Sequence, residues 1–233
     1  MSKALVAEFI GTFALIFIGA GSGVVAGMDG TGGSLITVAL AHGLTIMIFA
    51  YAYGHISGTH INPAVTLGLT AAGKFEASKV GPYLGAQLLG AIVAALVLRF
   101  VVFGNADSGL GTPGVGSMTN MGGALVAELI GTFFLINTIC NAAVSGKAGN
   151  LAPIAIGLTV GVGIMAFGPI SGASFNPART LGPAIASANF GAYIWLAVVA
   201  EIIGGVLAGL LYRNFLEEAN TSAAAPEPPR RRK

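Results

Sequence analysis

Apolar residues run through this chain in long blocks, without the one-faced or alternating patterns of a soluble domain. Six blocks stand out, at roughly 5–26, 35–53, 80–103, 124–144, 151–167 and 192–212. Each approaches the ~20 residues a helix needs to cross ~30 Å of hydrocarbon. The fifth is the shortest. Between the second and third blocks, and again between the fifth and sixth, lies a shorter apolar stretch headed by Asn-Pro-Ala. The pattern predicts an all-α membrane protein with six spans.

Composition agrees. Of 233 residues 55% are hydrophobic and 9% charged, and mean hydropathy is +0.83. A soluble domain carries about 25% charged residues. The first block is too long for a signal-peptide core and shows no small-residue cleavage site, so it reads as a span. A single Cys140 excludes an intrachain disulfide and a thiolate metal cluster. His55 and His60 lack the spacing of a metal site on a helix face and read as loop-bracing.

The chain repeats itself. Residues 7–13 (AEFIGTF) recur at 127–133 (AELIGTF) with one change, and 54–66 (GHISGTHINPAVT) recurs at 168–180 (GPISGASFNPART) with eight of thirteen positions identical. Both copies keep the same order, which marks a duplication. Three spans per copy is an odd number, so the second copy enters from the opposite side. Such inverted repeats put a functional site at the midplane where the halves meet.

Asn62-Pro63-Ala64 and Asn176-Pro177-Ala178 read as helix starts, with Asn as cap and Pro at the first helical position. The eleven residues from Asn62 to Ala72 rise roughly 16 Å, half the hydrocarbon thickness. Two such half-helices would meet N-terminus to N-terminus at mid-depth. Irregular backbone is tolerated there only where it is buried or lines a cavity. The preceding segments, 54–61 and 168–175, are therefore expected to line a pore. The paired helix N-termini would repel cations and protons.

These paired motifs, set in a six-span repeat, resemble the aquaporin or major intrinsic protein family over about residues 4–215. The resemblance implies a passive water channel that excludes ions and protons, with Asn62 and Asn176 donating to solutes in single file. It implies a homotetramer with one pore per subunit. It implies that Glu8 and Glu128, at equivalent repeat positions, brace the pore loops. Four positions of an outer constriction fall on His42, Ile164, Ala173 and Arg179. That set resembles plant tonoplast intrinsic proteins, which pass water and often ammonia or urea. Glycerol-type facilitators carry a different set.

Glu201 lies inside the sixth block, where the family commonly has proline, and the third block holds no matching carboxylate. A structural hydrogen bond is its expected role. Arg99 is expected to snorkel to the interface. Four Gly-x-x-x-Gly pairs, starting at Gly19, Gly81, Gly157 and Gly205, permit close helix crossings.

Nine of the eleven basic residues fall at ends or loops on one side if the chain starts inside, which predicts cytoplasmic termini in the cell membrane. Residues 1–216 are expected to form the channel domain, and 217–233 a disordered basic cytoplasmic tail. Water, small neutral solutes and lipid are the expected partners, with no nucleic acid, cofactor or metal. The remaining alternatives are a glycerol-type facilitator and, from another class, an ion-coupled transporter. An enzyme is not expected: no nucleophile–base pair, metal cluster or phosphate loop is present.

Overall fold

A computed structural model describes residues 2–28, 34–101 and 106–218. Six helices among them are long and apolar enough to span a membrane: α1 Lys3–Gly27, α2 Leu35–Ser57, α4 Ala77–Val101, α5 Met121–Val144, α6 Gly149–Ser171 and α8 Ala192–Leu216. Two short helices lie between them, α3 Pro63–Ala71 and α7 Pro177–Ala186. This is the expected all-α architecture of six spans and two half-helices. Several N-termini are set by small polar caps. The side chain of Ser2 accepts from Leu5 N, that of Ser34 from Ile36 N, and that of Asn120 from Gly123 N.

Two boundaries differ from expectation. Residues 54–57 and 168–171, expected as irregular pore lining, are helical. α2 and α6 run on to Gly58 and Gly172, whose φ of +83° and +84° end each helix in a left-handed cap. Only 58–61 and 172–175 remain irregular. The fifth span is therefore longer than the apolar block that marks it. Residues 102–103 of the third block and 219–233 of the tail lie outside the described residues, as does the disorder expected of that tail.

The packing follows the repeat. α1 lies on α4 and α5 on α8, while α2 and α6 pair across the axis that relates the halves. The half-helices are exchanged: α3 rests on α8, and α7 on α4. Each is thus gripped by the last span of the other half. Small residues permit this. A Cβ on Gly68 would meet Gly205 O at 2.7 Å, and one on Gly182 would meet Ala91 Cβ at 2.7 Å.

The Gly157 and Gly205 pairs lie in such crossings. The Gly81 pair does not, because a Cβ on Gly81 or Gly85 would meet nothing within 4 Å. Gly19 instead makes room for the ring of His42. Arg99 is exposed near the end of α4, and its Nη1 donates to Ala186 O at 2.6 Å, the last residue of α7, where a helix end leaves carbonyls unpaired and favours a cation.

Candidate functional site

Each half-helix begins on its Asn. Asn62 Oδ1 accepts from Ala64 N at 2.8 Å, and Asn176 Oδ1 accepts from Ala178 N at 2.9 Å and Arg179 N at 3.3 Å. Pro63 and Pro177 follow where no N–H is needed. The cap fixes which end of each amide faces its helix, so the amide nitrogen points across the axis. Asn62 Nδ2 donates to Phe175 O at 2.8 Å, and Asn176 Nδ2 donates to Ile61 O at 3.0 Å.

An amide nitrogen carries two hydrogens. One of each pair is used across the axis, and the other remains free to donate. Both Asn residues line a cavity of about 70 Å³, with Gly58, Thr59, His60 and Ile61 on one wall. A single water needs ~10–15 Å³ of such space, so several fit.

The loops that carry these carbonyls are strained. Thr59 and Ile61 have φ of 48° and 43°, and Ala173 and Phe175 have φ of 44° and 53°. Left-handed backbone at such residues costs on the order of 1–3 kcal/mol each. Two buried carboxylates hold it. Glu8 accepts from Ser57 Oγ at 2.7 Å, His60 N at 2.9 Å, Ile61 N at 2.7 Å and Gln87 Nε2 at 2.7 Å. Glu128 accepts from Ser174 N at 3.0 Å and Phe175 N at 2.8 Å.

With these N–H groups tied to carboxylates, the carbonyls are left for the cavity and for the two Asn residues. His60 joins this frame, its Nδ1 3.0 Å from Thr66 Oγ1. His55 does not, contrary to expectation: it lies exposed in the last turn of α2.

Several members of the frame escaped sequence reasoning. Tyr83 and Tyr193 donate their hydroxyls to Ser57 O at 2.9 Å and Ser171 O at 2.6 Å. Gln87 bridges Glu8 and Thr66 Oγ1. A signal was present for Gln87, since counting 114 residues onward from it, as from Asn62 to Asn176, arrives at Glu201.

His42, Ile164, Ala173 and Arg179 are all buried. His42 Nδ1 lies 2.8 Å from Val38 O, a carbonyl that can only accept, so Nδ1 carries the proton and Nε2 is the free acceptor. Nε2 has no partner among the described residues, and neither have Nε and Nη1 of Arg179. The two residues are near enough for the guanidinium charge to act on the imidazole. Ile164 and Ala173 belong to one apolar cluster with Phe175. His42 and Arg179 thus keep unspent donors and acceptors, while Ile164 and Ala173 pack among apolar neighbours.

A sequence model described as major intrinsic protein matches residues 1–212. The chain belongs to the major intrinsic protein family. It is 44% identical over 218 residues to a probable aquaporin TIP2-1 of Oryza sativa subsp. japonica, covering 90% of this chain and 86% of that one. It is 41% identical over 217 residues to aquaporin Z of Rhodopseudomonas palustris, covering 89% and 90%. Its fold matches the X-ray structure of the aquaglyceroporin from Plasmodium falciparum with a TM-score of 0.81 at 27% identity, covering 92% and 96%. As a major intrinsic protein the chain is a multi-pass membrane channel and not an enzyme.

Proposed function

We propose that this protein is a passive water channel whose pore passes between Asn62 and Asn176. The observation that carries this reading is the crossed pair of bonds from those amides, made at the meeting point of two half-helix N-termini and beside a cavity sized for water. The amides offer donors and the loops offer carbonyl acceptors, so a water can be handed along. The helix ends and the fixed charge of Arg179 repel cations and protons. The relatives named aquaporin support water as the permeant.

The constriction is assigned to His42, Ile164, Ala173 and Arg179, with Glu8, Glu128 and His60 as braces. Its apolar side, Ile164 and Ala173, supplies no donor. It admits small neutral solutes such as ammonia alongside water. A glycerol-type preference is disfavoured because the set lacks the residues that family members of that kind use.

The cell membrane is the assigned location, with both termini cytoplasmic. Lys74 pairs with Glu217, and Lys147 pairs with Glu218 at 2.7 Å, so the ends of α3, α5 and α8 share one face with two of the basic residues. A homotetramer is the assigned assembly, on the family resemblance. α2 and α6 are the least buried of the six spans and offer surface for lipid and for further copies.

Stopped-flow light scattering of proteoliposomes tests the main reading. Rapid osmotic shrinkage without proton current is expected. A proton flux comparable to the water flux overturns it.

A further inference from the structure

Glu201 has no part in the pore described above. It is fully buried on α8. It lies 114 residues after Gln87, the same separation that relates Asn62 to Asn176 and Thr66 to Thr180. The two side chains occupy equivalent places. Gln87 Nε2 donates to Thr66 Oγ1 at 3.0 Å, and Glu201 Oε1 accepts from Thr180 Oγ1 at 2.6 Å. Each leaves one oxygen unpaired among the described residues, Oε1 of Gln87 and Oε2 of Glu201. They differ in one respect. The other hydrogen of Gln87 goes to Glu8, whereas an ionised Glu201 has none to offer Glu128.

We propose that Glu201 is held as the neutral carboxylic acid and donates its proton in a hydrogen bond to Glu128, doing for the second half what the amide of Gln87 does for the first. Glu201 is then a positioning residue. Through Glu128 and Thr180 it holds the loop that leads into the first turn of α7, where Arg179 stands.

Three observations converge. A buried carboxylate oxygen without a donor is costly, whereas the carbonyl oxygen of an acid or amide is much less so. Gln87 shows that this slot tolerates such an oxygen. Second, the repeat pairs Glu128 with Glu201 as it pairs Glu8 with Gln87, whose side chains meet at 2.7 Å, and the charged or titratable groups that act on Glu201 are Glu128 from α5, Arg179 from α7 and Tyr193 from α8. Arg179 is the cation of that set. One proton between the two carboxyls leaves one negative charge against one positive, whereas two ionised carboxylates together disfavour each other. Third, the bond to Thr180 continues to Ser174 Oγ at 2.6 Å and from there to Asn176 O at 3.0 Å, which links the acid to the cap of α7.

The inference rests on the pore reading for its use but not for its test, since two of three measurements do not involve flux. The first is infrared difference spectroscopy of the full chain in lipid. The wild type is expected to show the C=O stretch of a buried neutral carboxylic acid, and Glu201→Gln to lose it.

The second is thermal stability against pH in detergent. The unfolded chain releases this proton above about pH 4.3 while the fold keeps it. The wild type therefore binds more protons folded than unfolded, and its stability relative to Glu201→Gln falls as pH rises. The third is water permeability at neutral pH, which Glu201→Gln should leave within about twofold, because Gln supplies the same donor that Gln87 supplies to Glu8.

If Glu201 is instead an ionised partner of Arg179, no acid band is lost in the variant, the relative stability does not fall with pH, and Glu201→Gln perturbs permeability. Any of these outcomes overturns the proposal. Gln87→Glu gives an independent arm: the first half should accept a neutral acid in the same slot and gain a second such band. A folded Gln87→Glu protein without that band also counts against it.

Discussion

The amide of Asn62 donates to the carbonyl of Phe175 at 2.8 Å, and so joins the first half-helix to the loop that precedes the second. Asn176 returns the bond to Ile61 at 3.0 Å. Each Asn is therefore both a helix cap and a tie across the axis. The two jobs use different atoms, Oδ1 for the cap and Nδ2 for the tie.

That division can be tested with two substitutions. Asn62→Asp keeps an oxygen for the cap but loses the donor across the axis. Asn62→Ala loses both, and the lost cap alone costs about 1 kcal/mol. Osmotic permeability should fall in both variants. The melting temperature should fall further in Asn62→Ala if the cap contributes as described.

Arg179 and His42 set a second prediction. The guanidinium is always charged and offers donors without a partner among the described residues. Arg179→Val removes the charge and shortens the side chain, leaving Ile164 and Ala173 unable to replace either. The ratio of urea to water permeability should rise. His42→Phe narrows the same place and should lower the ratio. An unchanged ratio in both variants would show that the constriction lies elsewhere.

Mercury distinguishes the pore wall from the bundle interior. Cys140 is fully buried near the end of α5. Water flux in the wild type should therefore resist mercuric chloride. Ala173→Cys places a thiol on the assigned constriction and should become sensitive, with recovery on adding a thiol reductant.

Gly131 and Gly81 form a contrasting pair. A Cβ on Gly131 would meet the Phe175 ring at 2.0 Å, and the carbonyl of Phe175 is the acceptor for Asn62. Gly131→Ala should lower both the melting temperature and water flux. Gly81 meets nothing within 4 Å, and alanine is the better helix former by about 1 kcal/mol. Gly81→Ala should leave flux unchanged and stability equal or slightly higher.

Much of the architecture is legible in the amino-acid sequence alone, because it follows from local chemistry. Apolar runs of membrane length form helices in lipid, where every backbone N–H and C=O must be paired within the span. The repeated AEFIGTF and Asn-Pro-Ala segments announce two inverted halves, and Asn-Pro repeated in register reads as a pair of capped helix starts. The tertiary structure decided matters that depend on contacts between distant segments. It showed that α2 and α6 continue to Gly58 and Gly172, since Ser57 is drawn to Glu8 and helix geometry carries on until a left-handed residue ends it. It gave the guanidinium of Arg99 a partner at the end of α7.

It also placed Gln87 beside Glu8, and Glu201 beside Thr180, pairs that lie 79 and 21 residues apart in the chain. Hydrophobic periodicity registers which residues avoid water. It does not register which buried polar group finds which partner, because that choice is made only when spans from both halves pack and each remaining donor must meet an acceptor.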